Sequence, residues 1–527
     1  MKQLSVPRHP VTRVLAALAV WLLLPTAAAF AADDLRLLDA VRRQDNAAAR
    51  ALLKQRADVN VKQADGATAL HWAVHWEDLE TTDLLIRAGA RVDAANDLGV
   101  TPILMASASG NGPIVQRLLA AGASARAALE SGETALMLAT RAGTAAAVAA
   151  LLDRGADVNA REGTRGQTAL MWAVANKHSD ITRLLISRGA DVRARSQVRR
   201  RAYIMGGNRS AGSASRDTPI AEIDEGGSTP LLFAARSGDL DSARLLIAAG
   251  ASASDTAADG NTALVIAAHS GHGSLAALLL DHGADPNAAP LGYTALHAAV
   301  LRGTLSDRGV RNPDPGAGVA LVRALLAKGA NPNAQLARGT PVRRWSQDFA
   351  FLERWVGATP FWLAAKFLEI DMMRALRAAG ADPLLRSRDG TTPLMVAAGN
   401  GYSRGTGTEA FIRDRRDFSS YNGDPLEIAT RIPVEEERLA LQAIELAIEL
   451  GNDVNAANQA GDTALHAAAA IGMDTVIELL ARRGANVNAR NKAGRTPLSV
   501  ARREDGVGAS VVRESTAALL RKLGAKE

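Results

Sequence analysis

GDTALHAAAAIGMDTVIELLARRGANVNAR, residues 461–490, decides the fold of this 527-residue chain. Within it Thr463 is followed by Ala464 and the apolar Leu465, and five places after the Thr stands Ala468. The same order, Thr, then Ala or Pro, then an apolar residue, with Ala at the fifth place, starts at Thr68, Thr101, Thr134, Thr168, Thr229, Thr262, Thr294, Thr359, Thr392, Thr463 and Thr496. Copies that follow one another directly are 32 to 34 residues apart. A fixed period of that size is a structural repeat, so function has to be argued for an array.

Each copy predicts one supersecondary unit. Thr is a good N-cap, and Pro at 102, 230, 360, 393 and 497 sits where a missing N–H costs nothing. The Ala five places on, at 73, 106, 139, 173, 234, 267, 299, 364, 397, 468 and 501, is small enough for two helices to approach closely. A second helix follows around a Leu pair such as Leu84/Leu85, Leu118/Leu119, Leu245/Leu246 or Leu479/Leu480 and ends at Gly89, Gly122, Gly250 or Gly484. Glycine takes the left-handed conformation of a helix C-terminus without strain. Gly-Ala-Asp-Val-Asn at 155–159, or a near copy such as that at 189–192, then turns the chain toward the next unit.

Thr-Ala-Leu-His at 68–71, 294–297 and 463–466, together with the Gly-Ala-Asp-Val-Asn turns in register, resembles the ankyrin repeat over nearly all of the chain after its N-terminal segment. The resemblance implies an all-α repeat solenoid of stacked helix pairs with β-hairpin fingers between neighbours. A first unit without the Thr signature, from Asp33 to about Asp65, brings the count to about twelve repeats. Its polar Arg42, Arg43, Gln44 and Asp45, and the charged Arg502, Arg503, Glu504, Arg513 and Glu514 of the last unit, suit capping repeats that shield an open apolar end.

Residues 1–31 read differently. Lys2, Arg8 and Arg13 precede an apolar run from Val14 to Leu24, and Ala29, Phe30 and Ala31 place small residues at a cleavage site before Ala32. That is the pattern of a signal peptide, its apolar core too short for a comfortable membrane span. The expectation is an exported, periplasmic protein of residues 32–527, with an extracellular location as the alternative and no membrane span in the mature chain. The absence of Cys excludes disulfides, thiolate metal sites and attachment at a lipobox cysteine. The formal charge of +6 falls to about +3 without the signal, with acids and bases interspersed. Nucleic acid, which needs a concentrated basic face, is not an expected partner.

What is particular to this chain lies where the period breaks, at about 196–226, 304–317, 336–357 and 402–433. The first and third fall between a Gly-Ala turn and the next Thr, where they lengthen fingers. The second and fourth fall between the two helices of one repeat. These segments hold Tyr203, Trp345, Phe349, Phe351, Trp355, Tyr402, Phe411, Phe418 and Tyr421, about half the aromatic residues of the mature chain. Aromatics interleaved with arginine, as at Arg344-Trp345, Arg354-Trp355 and Arg416-Asp417-Phe418, are hot-spot material at interfaces. The same rings can equally fold back and anchor each loop. The candidate partner-binding set is Arg199, Arg200, Arg201, Tyr203, Arg344, Trp345, Phe349, Phe351, Trp355, Phe411, Phe418 and Tyr421. Arg199–Arg201 could hold an anionic partner, or pair with Asp217, Glu222, Asp224 and Glu225 of the same loop.

No catalytic constellation stands out, and no cofactor is expected. His71 and His75 have a spacing that can hold a metal, but the resemblance implies a structural hydrogen-bonding role between repeats for His71, His297 and His466. Trp72 and Trp172 share one repeat position and Trp362 lies one place earlier; on the concave face such rings can be contact residues, but Trp72 and Trp172, each followed by a small Ala, suit packing. The reading is a binding scaffold that holds one or more proteins on its concave face and long fingers. The alternatives are a ligand-binding protein or enzyme whose site the insertions form, and a secreted effector that acts on another cell.

Overall fold

Thr at the head of each signature does what its chemistry allows. Thr134, Thr359 and Thr392 hold extended backbone, and their hydroxyls accept the N–H of Met137, Trp362 and Met395 at 3.1–3.2 Å, which starts a helix. Second helices open on Asp45, Asp78, Asn111 or Asp239, whose side chains accept the backbone N–H three residues on. The computed structural model describes residues 34–204, 220–304, 315–339, 351, 353–399, 434–502 and 514–526. Among these residues 24 α-helices form twelve pairs. The chain is an all-α repeat solenoid with one two-stranded sheet.

Two compact units divide the chain, Met1–Gln197 and Val198–Glu527. The first holds five pairs, from Arg36–Arg42 with Asn46–Lys54 to Ala169–Ala175 with Ser179–Ser187. The second holds seven, from Pro230–Ser237 with Leu240–Ala248 to Pro497–Ala501 with Glu514–Lys522. Within each unit first helices pack on neighbouring first helices, as Pro102–Ser109 does on Ala135–Ala142, and second helices on neighbouring second helices. All eleven alanines of the signature are at most 2% exposed. Leu85, Leu118, Leu246 and Leu480 are fully buried, each contributing roughly 1.5–3 kcal/mol of apolar burial.

Within each unit three sets of hydrogen bonds join neighbouring repeats, each set at some of the repeat interfaces. The Asn that closes the turn is the first. Asn60, Asn159, Asn287, Asn333, Asn455 and Asn488 each donate Nδ2–H to the carbonyl of the glycine ending the next second helix, at 2.9–3.2 Å. Each accepts a backbone N–H two residues beyond that glycine, at 2.7–2.8 Å. Where the third repeat has Arg126 in place of the Asn, its Nε reaches the Gly155 carbonyl at 3.0 Å instead.

The second set stitches finger to finger through the backbone. Asp97 N–H donates to Asp65 O, Gly163 to Ser131 O, Ala258 to Gly226 O, Arg388 to Val356 O and Lys492 to Ala460 O, at 2.7–2.9 Å. Fingers come this close because the residue two before each signature Thr is glycine with positive φ in all eleven copies. A Cβ at Gly357 would lie 2.6 Å from the Arg388 nitrogen, and one at Gly461 2.8 Å from that of Lys492. Before Thr294 the donor position is held by Pro290, which has no N–H to give. The third set, made by histidines, belongs to the first helices and is described below.

The first insertion is a lengthened finger. Strand β1 (Arg199–Ile204) pairs antiparallel with β2 (Ile220–Glu225), with Arg199 opposite Glu225 and Arg200 opposite Asp224. The third insertion closes at its base through Leu336 N–H to Ala358 O and Gly357 N–H to Leu336 O, and its last turn is a 3-10 helix, Glu353–Trp355. The second helix of the eighth repeat starts at Pro315, inside the span 304–317 assigned to an insertion, and the first helix ends at Thr304. A fifth break, absent from the four expected, separates Pro497–Ala501 from Glu514–Lys522 in the last repeat. The register of Thr496 conceals it, because only the Leu pair beyond the break is displaced: Leu519/Leu520 lie 23 and 24 residues after their Thr, against 16 and 17 for Leu84/Leu85.

Ala267 is fully buried where first helices meet. Ala267→Leu is expected to lower the unfolding free energy by roughly 1–3 kcal/mol through overpacking, read from urea denaturation followed by circular dichroism.

Candidate functional site

The three histidines of the Thr-Ala-Leu-His motifs have no nitrogen left for chemistry. His71 Nδ1 accepts the Thr68 backbone N–H at 3.1 Å and meets the Thr68 hydroxyl at 2.9 Å, while Nε2 lies 3.1 Å from the Val100 carbonyl of the next repeat. His297 does the same between Thr294 and Ala358, and His466 between Thr463 and Arg495. An imidazole that accepts on one side and donates on the other is neutral. Burial lowers the proton affinity of all three, and that of His297 is pushed down to about 4. His71 is thereby committed to the repeat interface, which removes it from the metal pair with His75.

The open side of the first helices in Met1–Gln197 carries a different set of side chains. Trp72 is 5% exposed, and its indole N–H donates to Gln63 Oε1 of its own finger at 3.0 Å. Trp76, 41% exposed, stacks on Trp72 with ring centroids 6.4 Å apart and donates to the Arg42 carbonyl. His75 lies edge-on to both rings. Ser109, Ala142 and Asn176 are exposed at the corresponding ends of the next three first helices. The Arg141 guanidinium lies over the Trp172 ring, 5.1 Å from its centroid. Trp172 is 9% exposed and Trp362 is buried, so both rings mainly pack, as does Trp72.

The insertion residues divide. Arg200 pairs with Asp224 at 2.9 Å and Arg201 with Glu225 at 3.3 Å across the hairpin, Glu222 lying 3.9 Å from Arg200. The hydrogen bond that Arg200 donates to Asp224 raises the Arg200 proton affinity and lowers that of Asp224. These arginines are exposed and the pairs are worth little stability, but the acids turn a basic run into a ribbon of alternating sign. Arg199 is half-buried, and Tyr203 lies on β1.

Phe351 and Trp355 are not exposed contact residues. Phe351 is 1% exposed, 4.7 Å from the Tyr293 ring and edge-on to His297. Trp355 is 2% exposed, edge-on to Phe367, with Lys366 Nζ 5.1 Å over its ring. The insertion ends with both rings buried against residues of the eighth and ninth repeats, because large rings gain more from burial than from water. Arg344, Trp345, Phe349, Phe411, Phe418 and Tyr421, with Ala29, Ala31 and Ala32 of the cleavage site, lie outside the described residues. No helix of the described residues is long and apolar enough to cross a membrane.

A depression missed by sequence reasoning lies on the second-helix side of Val198–Glu527. Helix Ile370–Ala378 has nine residues, and the flanking Pro315–Ala327 and Val434–Glu449 have 13 and 16. The short middle helix leaves a groove of about 920 Å³, lined by Val319, Arg323, Leu368, Arg374, Leu439 and Glu445 among others. Its charged lining residues are Arg323, Glu369, Asp371, Arg374, Glu445 and Glu449.

A profile of the family described as Ankyrin repeats (3 copies) matches residues 37–128, 103–196, 231–336 and 435–521, well over half of the chain. The chain belongs to the ankyrin repeat family. Ankyrin repeats are protein-interaction scaffolds that bind through the extended surface of the stack. The human 2-5A-dependent ribonuclease is 33% identical over 118 residues, a stretch that is 22% of this chain and 13% of that protein.

The ankyrin histidines give the array a pH dependence. Unfolded, the His297 imidazole takes up its proton near pH 6.5, and folded only near 4. The unfolded chain therefore binds more protons between those values. The stability contributed by neutral His297 is fully present above about pH 6.5 and is lost as pH falls toward 4, by about 3 kcal/mol in all. His71 and His466 act with the same sign. Urea midpoints measured from pH 7 to pH 4.5 should fall accordingly. His297→Gln, whose amide can accept from Thr294 and donate to Ala358, should flatten that slope.

Proposed function

We propose that this ankyrin repeat protein is exported to the periplasm, where it holds another protein on its concave face, the surface formed within a unit by the open sides of the first helices and their fingers; the Arg199–Glu225 hairpin is a lengthened finger of the unit Val198–Glu527. The observation that carries the reading is the composition of that side in Met1–Gln197: an exposed tryptophan stacked on a buried one, beside polar and small side chains at the same helix ends in the following repeats. An aromatic anchored from below and exposed above is the usual centre of an interface, and a stiff array presents it without ordering entropy on binding. The signal pattern of residues 1–31 supports export. With Phe351 and Trp355 in the core, the third insertion acts as a structural element and the first as the exposed arm.

The test uses the mature chain as bait in a soluble periplasmic extract of the native organism. Two variants run beside it: Trp76→Ala, and a chain whose residues 203–221 are replaced by a tight turn. Both variants should keep the wild-type melting curve. The partner is expected to be captured by the wild type, at least tenfold less by Trp76→Ala, and more weakly by the trimmed hairpin. Equal capture by all three defeats the concave-face reading. N-terminal sequencing of the protein recovered from the native host should begin at Ala32, and an N-terminus at Met1 would remove the export.

A further inference from the structure

Trp72 and Trp172 occupy the same place in their repeats, four residues after the signature Thr, yet their indole N–H groups fare differently. In the second repeat the finger residue Gln63 turns its side-chain carbonyl onto Trp72 Nε1 at 3.0 Å. The corresponding residue of the fifth repeat is Glu162, for Gln63 and Glu162 each lie three residues after the turn Asn and donate their own backbone N–H across the finger, to Ala67 O and Gln167 O. Glu162 does not reach the indole. Its carboxylate accepts the backbone N–H groups of Thr164, Arg165 and Gln167 at 2.5, 2.7 and 3.0 Å. Burial opposes its ionisation, but those N–H groups outweigh it and hold the carboxyl below its ordinary range.

Trp172 Nε1 is therefore a buried donor without an acceptor among the described residues, and so is Nη2 of Arg141, the guanidinium that lies over the same ring. A buried donor left unsatisfied forfeits its hydrogen bond to water and gains nothing in return. Two together beneath one half-buried side chain, on the open side of the first helices, point to an acceptor supplied from outside. We propose that Trp172 and Arg141 form a recognition site for a primary carboxamide, the side chain of a glutamine or asparagine on an extended segment of the partner protein. This rests on the concave-face reading and specifies the chemistry of one position on that face.

Two features select the amide over a carboxylate. Gln63 on Trp72 is the same bond made inside the chain, so the geometry of the repeat accommodates a carboxamide at this indole. The surroundings are already acidic. Glu133, half-buried beside Arg141 and within the field of Glu162, has its proton affinity raised by burial, which Arg141 counters and Glu162 reinforces. An added negative charge would meet two carboxylates. A neutral amide offers its oxygen to the two donors and its N–H to Glu133, and so satisfies both signs of the cleft. Arg141 sits in the last turn of helix Ala135–Ala142 and is half-buried.

The experiment titrates the full mature chain, labelled with ¹⁵N at its tryptophans, with acetylated and amidated hexaglutamine, hexaalanine and hexaglutamate. It follows the indole N–H resonances, that of Trp172 being assigned by its disappearance in Trp172→Phe. Hexaglutamine is expected to move the Trp172 resonance saturably, hexaalanine to leave it in place and hexaglutamate to act more weakly than hexaglutamine. Arg141→Met, which keeps the apolar stem over the ring, should weaken the hexaglutamine response about tenfold. A Trp172 resonance unmoved at millimolar hexaglutamine overturns the proposal. So does an equal response to hexaalanine, which would assign the site to the main chain, or a stronger one to hexaglutamate. Capture of the partner that survives Trp172→Phe but fails in Trp76→Ala refutes the carboxamide site alone and leaves the concave-face reading standing.

Discussion

Nearest-neighbour hydrogen bonding is the constraint on which the rest of this molecule depends. An isolated helix pair of about 20 residues cannot bury its apolar face, and burial alone would let pairs slide over one another. The Asn that closes six of the turns prevents that by gripping both the glycine carbonyl and a backbone N–H of the following repeat. The Thr-Ala-Leu-His imidazoles fix the other side of the interface, and finger backbones close the third. Where these bonds occur together, as between the repeats headed by Thr463 and Thr496, a repeat has neither translation nor rotation left, and the leucines and alanines between them can be small, plain and tightly packed.

This rigidity determines what the side chains on the open face can do. A tryptophan on a flexible loop would collapse onto the nearest apolar surface, whereas Trp76 is held out by its bond to Arg42 and by the ring of Trp72 beneath it. Trp172 shows the complementary case, where the scaffold keeps an indole N–H buried although its own finger has no acceptor to offer. The difference between the two comes from a single finger position, glutamine in one repeat and glutamate in the other. Surface chemistry is thus written onto a fold that does not change to accommodate it.

The repeat itself was legible because its signals are local: a capping Thr, a small Ala, a Leu pair and a glycine recur at spacings that only a helix pair satisfies. The structural role of His71, His297 and His466 was legible only through the resemblance to the ankyrin repeat. The fate of the insertion aromatics was not. Composition marks Phe351 and Trp355 as unusual for a loop, but whether a ring faces a partner or the loop's own base depends on the long-range pairing of Leu336 with Ala358, which no local pattern encodes. The orphaned Trp172 was invisible for a related reason: Glu162 and Gln63 look alike as polar finger residues until the direction of each side chain is known. The break in the last repeat escaped because Thr496 keeps its register and only the leucines beyond it are displaced.

Because every joining bond runs between adjacent units, no part of the interface encodes the total number of repeats. A repeat copied next to itself would present to its copy the turn, first-helix and finger groups that it already presents to a neighbour, and the stack would close around it. Extra residues inside a repeat are tolerated at the finger and at the turn between its helices, the two places that all five breaks in the period occupy. The fold therefore separates two modes of evolutionary change. Duplication alters reach without altering any contact, and insertion at a permitted edge adds a new surface without altering reach.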